Sequence, residues 1–149
     1  MEKTRLELTP LLVDSLYTEA MLLADEARHC FDRNRVAGQL APEISVAFSC
    51  ESLKVTTRLM HSIAWLLNQK ALQAGEFSEE EAQSDSKNLG YAPNSDKSLV
   101  ERFPEEARTL VAASEELYFR LQRFSGKMRA ANAPVPEPLA MRERLRSSF

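Results

Sequence analysis

The sequence predicts an all-α fold, an antiparallel bundle of three long helices, on three observations. Apolar residues recur at spacings of three and four over three separate stretches. No stretch alternates with the period of two that a half-buried strand needs. The four glycines and seven prolines fall mostly where the helical pattern breaks. The expected helices cover residues 10–36, 42–74 and 104–129.

The first helix opens at Thr9-Pro10, a hydroxyl N-cap followed by proline at the first helical position. Its core stripe is Leu12, Leu16, Ala20, Leu23, Ala27 and Phe31, and Gly38 is a natural stop. The second begins near Pro42-Glu43 and runs to a C′ glycine at Gly75, a length of about 48 Å. Its central stretch, KVTTRLMHSIAWLLNQKALQAGE, is apolar on more sides than packing against one core requires. Leu59, Met60, Ile63, Trp65, Leu66 and Leu67 spread well beyond a single stripe, so this helix is expected to bury two faces and to carry a homodimer interface.

Ser78-Glu79-Glu80-Glu81 is a capping box able to start a short helix. The polar run SDSKNLGYAPNSDKS that follows is expected to be a mobile acidic loop. Two starts are open to the third helix, a capping box at Ser98 to Glu101 or proline at the first position at Pro104, and Pro104 is preferred. From there Ala107, Leu110, Ser114, Leu117, Leu121, Phe124 and Met128 form a seam of threes and fours. Residues 1–130 are therefore read as one domain. Pro134, Pro136 and Pro138 stop the helix, leaving residues 131–149 as a flexible, disordered basic tail.

Composition narrows the function classes. Charged residues make up 28% and apolar ones 44%, and no run of about 18 apolar residues could span a bilayer. The first ten residues lack the apolar stretch of a signal peptide, so a cytoplasmic location is expected, with Cys30 and Cys50 reduced. Nine acids against Lys87, Lys97 and Arg102 make residues 76–106 acidic, whereas seven basic residues against Glu137 and Glu143 make residues 120–149 basic. A pI near 5.5 and no compact basic helix face argue against nucleic-acid binding.

Constellations that could carry chemistry are incomplete. Glu26-x-x-His29 is one half of a di-iron motif, but Arg58 stands where the second half, ahead of His61, needs a carboxylate. His29, Cys30, Cys50 and His61 supply zinc-ligating atoms without the short paired spacings of a readable site. No nucleophile elbow and no glycine-rich phosphate loop is present, so neither an enzyme nor a cofactor or metal is expected. Thr56, Thr57, Arg58, His61 and Trp65 mix polar groups with one large aromatic on adjacent turns. Arg and Trp are enriched at binding hot spots, although the same residues could simply flank a core stripe.

At these residues the chain resembles the RcdA family, the regulators of CtrA degradation of bacteria with a regulated cell cycle. The resemblance rests on LYTEAMLLADEARHCFD from Leu16 to Asp32, on the second-helix stretch quoted above, and on SEELYFRLQRF from Ser114 to Phe124. It implies a non-enzymatic, dimeric three-helix bundle that helps the protease ClpXP degrade selected substrates, such as a cell-cycle transcription regulator, together with companion adaptors. The expected partner-binding residues are Arg28, Thr57, Arg58, His61 and Trp65. The alternative is a small ligand- or metal-binding sensor with a cavity around Trp65, His61 and Cys50.

Overall fold

A computed structural model describes residues 8–37, 40–82 and 87–132. Within them the chain forms three long helices and two short ones: α1 (Pro10–Ala37), α2 (Pro42–Gln73), α3 (Glu79–Ala82), α4 (Lys97–Val100) and α5 (Glu105–Asn132). No strand occurs among the described residues, as the all-α reading requires. The tail is expected from residue 131, but α5 continues to Asn132, and residues 133–149 lie outside the described residues, as do residues 38–39 and 83–86.

Local chemistry sets the helix ends. The Thr9 hydroxyl accepts from the Leu12 amide at 3.1 Å and opens α1. At the far end of α2, Gly75 takes φ +74°, the left-handed backbone that a side chain resists. The Gly75 amide then donates to Leu72 O and the Glu76 amide to Ala71 O, each at 3.0 Å, the two bonds of a Schellman stop. The Ser78 hydroxyl caps α3 by accepting from the Glu81 amide. Near Ser98 the cap is Asp96, whose carboxylate accepts from the Ser98 amide at 3.0 Å and starts α4. The third long helix therefore takes the preferred start, α5 beginning directly after Pro104, while Ser98 of the alternative capping box lies inside the separate short helix that Asp96 caps.

Two ion pairs give the direction of α5. Arg120 meets Glu19 and Arg33 meets Glu106, so α1 and α5 are antiparallel. Lys70 reaches Asp14 at 3.2 Å while Phe31 packs on Phe48, so α1 and α2 are antiparallel as well. It follows that α2 and α5 run the same way, in step from Phe48 beside Phe103 to Arg58 beside Ser114. Three packed helices cannot all be mutually antiparallel, and the parallel pair here is α2 with α5. A parallel neighbour cannot be reached by a tight turn, so the connection between α2 and α5 must travel back along the bundle.

The core holds Val13, Leu16, Ala20, Ala27, Cys30 and Phe31 of α1, with matching apolar positions on α2 and α5. Leu12 and Leu23 of the expected α1 stripe are only partly buried. At the end where the returning chain enters α5, Phe31, Phe48 and Phe103 meet edge to face with centroids 5.0 and 5.2 Å apart. The α5 seam is buried from Ala107 to Leu121, with Phe124 and Met128 half-buried at its end.

Candidate interaction surface

Arg58 decides how the returning chain lies. Its side chain is 1% exposed, an arginine fully inside the protein. Its guanidinium donates to the Ser114 hydroxyl of α5 at 3.2 Å, to the Pro93 carbonyl at 3.0 Å and to the Ser95 hydroxyl at 2.6 Å. Burial lowers the Arg58 pKa, and the carboxylates of Glu115 and Glu51 oppose that shift. Glu51 is equally enclosed and accepts from Lys54 Nζ at 2.9 Å and from the Asp96 amide at 3.1 Å. Burial would raise its carboxyl, but the Ser95, Lys54 and Asp96 donors outweigh that and hold it below the usual carboxylate range.

Tyr118 of α5 completes the fastening by donating to the Gly90 carbonyl at 2.5 Å and accepting from the Ala92 amide at 3.0 Å. The second half of the stretch expected to be mobile, residues 90–96, is therefore fastened along α2 and α5. The Gly90 and Pro93 carbonyls and the Ala92 and Asp96 amides are satisfied by side chains that the bundle already buries.

The five expected partner-binding residues separate accordingly. Arg28 is exposed and pairs with Asp25 at 3.2 Å. Thr57 is half-buried, its hydroxyl donating to the Leu53 carbonyl one turn back. Arg58 belongs to the interior latch just described, and Trp65, 3% exposed, belongs to the core. Neither presents a surface to a partner, which corrects the expectation for both. His61 is half-buried beneath Gly90, and its Nδ1 is buried with no hydrogen-bond partner.

The alternative sensor cavity does not assemble. Trp65 lies in the core while Cys50 is exposed. Among the described residues, no three His, Cys, Asp or Glu side chains gather as a metal site would require.

What α2 offers outward is apolar. Val46, Leu53, Met60 and Leu67, spaced seven apart, are exposed by 67%, 67%, 63% and 47%. Cys50, Thr57 and Ala64 alternate with them at steps of four and three, giving a line opposite the buried side of the helix. Every charged residue of α2 beyond Glu43 is drawn elsewhere. Glu51 and Arg58 are buried, Lys54 turns to Glu51, and Lys70 turns to Asp14 and lies 4.5 Å over the Tyr17 ring. A solvent-facing helix side with four large apolar residues and no charge marks an interaction site.

The line borders a groove of about 290 Å³ between α1 and α2, whose walls include Ala24, Arg28 and Phe31 on one side and Leu53, Met60 and Ile63 on the other. The sequence pointed to excess apolar surface on α2 but placed it on Trp65. The seven-residue recurrence from Val46 to Leu67 was the signal that located it.

A family profile described as a protein of unknown function (DUF1465) matches residues 5–149. The crystal structure of RcdA from Caulobacter crescentus CB15 superposes with a TM-score of 0.64 at 27% sequence identity, over 85% of this chain and 96% of that one. The resemblance read from the helix motifs thus holds in the fold. No curated protein matches the chain at a significant level.

Proposed function

We propose, from the premise that the chain belongs to the DUF1465 family and shares its fold with RcdA, that this protein is a non-enzymatic adaptor of regulated proteolysis. In this reading it promotes degradation of selected cell-cycle substrates by ClpXP, together with companion adaptors, in the cytoplasm. The observation that carries it is the outward side of α2, where large apolar residues face solvent and the charges of the helix are engaged elsewhere. Such a side costs solubility unless something covers it. A homodimer formed through that side covers it, leaving Arg28 and the exposed part of α1 as the surface for other partners. Thr57 lies within the self-association line, whereas Arg58, His61 and Trp65 support it from inside.

Among the described residues no helix is long and apolar enough to cross a membrane. The reading is tested by affinity capture of the tagged protein from the cells that make it. Protease components should be recovered with the unmodified chain and lost when Arg28 is replaced by Glu in a chain of unchanged helical content. Recovery of no protease component and no adaptor would count against the reading.

A further inference from the structure

Residues 90–96 are held against α2 and α5 mainly through their backbone. Tyr118 donates to the Gly90 carbonyl and accepts from the Ala92 amide, Arg58 donates to the Pro93 carbonyl, and Glu51 accepts from the Asp96 amide. The Ser95 hydroxyl adds one side-chain contact by accepting from Arg58. Ala92 alone among these residues is buried, and it stands outside the main hydrophobic core. Tyr91, between two fastened residues, is 80% exposed. The segment rests on His61 at Gly90 and reaches Glu51 at Asp96, so it runs antiparallel to α2. From residue 61 back to residue 51 is about 15 Å of helix, whereas six residues cover about 9 Å as a helix and about 20 Å fully extended. The segment is therefore close to extended. Backbone bonds along an extended segment, with small slots that select side chains, are how a groove reads a peptide. The fit is incomplete at both ends, because Glu51 Oε2 and His61 Nδ1 are buried there without a hydrogen-bond partner.

We propose that the cleft between α2 and α5 is a binding site for an extended segment of a partner protein, and that residues 90–96 are the chain's own stand-in for it. The ligand carries glycine over His61, because a Cβ at that position would stand 2.7 Å from Nδ1. It carries a small residue in the slot of Ala92 and a hydroxyl in the place of Ser95, and any side chain serves at the outward position of Tyr91. A further donor at the Asp96 end would satisfy Glu51 Oε2, which the stand-in leaves unpaired. The stand-in is tethered at both ends and so holds the cleft at an effective concentration in the millimolar range, roughly that of a short linker. Its release admits the partner, and while it is in place Arg58 is closed to solvent. The site is separate from the outward side of α2 and does not depend on the adaptor reading.

The probe is a fluorescent synthetic peptide of residues 88–98, and the receptor is the full chain carrying Ala92→Asp, which expels the stand-in from its buried slot and leaves the helix walls unchanged. Fluorescence anisotropy should show the peptide binding this variant at least about tenfold more tightly than the unmodified chain, whose cleft is already filled. A peptide with Gly90→Val should bind the variant about tenfold more weakly, since its side chain collides with His61. A peptide with Tyr91→Ala should bind as the parent does. A folded Ala92→Asp chain that leaves the peptide unbound at about 1 mM, binds it no better than the unmodified chain, or accepts the Gly90→Val peptide equally would overturn the proposal. Should Ala92→Asp fail to fold, hydrogen exchange on the unmodified chain decides. The Ala92 and Asp96 amides should then exchange through a local opening while the amides of α2 and α5 beneath them stay protected. Equal protection of segment and helices would mean that the cleft opens only with the whole fold, which would overturn the proposal as well.

Discussion

The guanidinium of Arg58 donates to the Ser95 hydroxyl at 2.6 Å, and through this contact α2 fastens the chain that returns toward α5. Because Pro93, Ser95 and Ser114 all accept from the same buried group, Arg58 joins α2, the return segment and α5 at one point. Its replacement should act on stability before it acts on binding. Arg58→Met is expected to lower unfolding stability by about 3 kcal/mol, because it leaves the Pro93 carbonyl and the Ser95 and Ser114 hydroxyls without their buried donor. Urea denaturation measures this, and a loss below about 0.5 kcal/mol, the range of ordinary surface substitutions, would remove Arg58 from the latch.

Glu51 should make stability depend on acidity in a defined direction. Its carboxyl is held lower in the folded chain than in the unfolded one, so its contribution is present above the unfolded value near pH 4.3. That contribution is lost as pH falls through the folded value. Glu51→Gln is therefore expected to be less stable than the parent at pH 7 and to lose less on acidification from about pH 5 to pH 3. Parallel urea-midpoint curves for the two proteins over that interval would show that Glu51 does not supply the linkage.

Gly90 and His61 should be coupled. A Cβ on Gly90 would stand 2.7 Å from His61 Nδ1, too close without movement of the imidazole. Gly90→Ala should cost about 1–2 kcal/mol, and the same change on a His61→Ala background should cost much less. A double-mutant cycle reads the difference, and a coupling energy near zero would mean that the return segment does not rest on His61.

The outward line of α2 should govern self-association. Met60→Glu places a charge in its middle without touching the core, so helical content should be unchanged while light scattering shows monomer at about 50 μM. A folded Met60→Glu protein that still scatters as a dimer would place the interface elsewhere.

These expectations separate what the sequence made legible from what it did not. Periodicity located all three long helices, and Thr9, Gly75 and Ser78 act at the ends where their chemistry placed them. The α5 seam from Ala107 to Leu121 is likewise buried as its spacing required. Direction was not legible. Spacings of three and four report a buried face and not which way a neighbour runs, so the parallel course of α5 beside α2 had no signal except the length of the connection between them.

The candidate site was legible only in part. Arg58 and Trp65 were singled out as hot-spot types, but residue type does not distinguish a buried arginine from an exposed one. The acceptors that make burial tolerable come from Pro93 and Ser95, 35 and 37 residues away, and from Ser114, 56 residues away. Arg28 alone among the five is clearly exposed.

The central claim, that this chain catalyses nothing itself and accelerates proteolysis through its surfaces, is tested most directly by the half-life of a cell-cycle transcription regulator in a reconstituted ClpXP reaction containing the companion adaptors. Adding the protein should shorten that half-life in a dose-dependent way, leave the added protein undiminished, and have no effect when ClpXP is omitted. An unchanged half-life at every dose, with the added protein folded, would contradict the account.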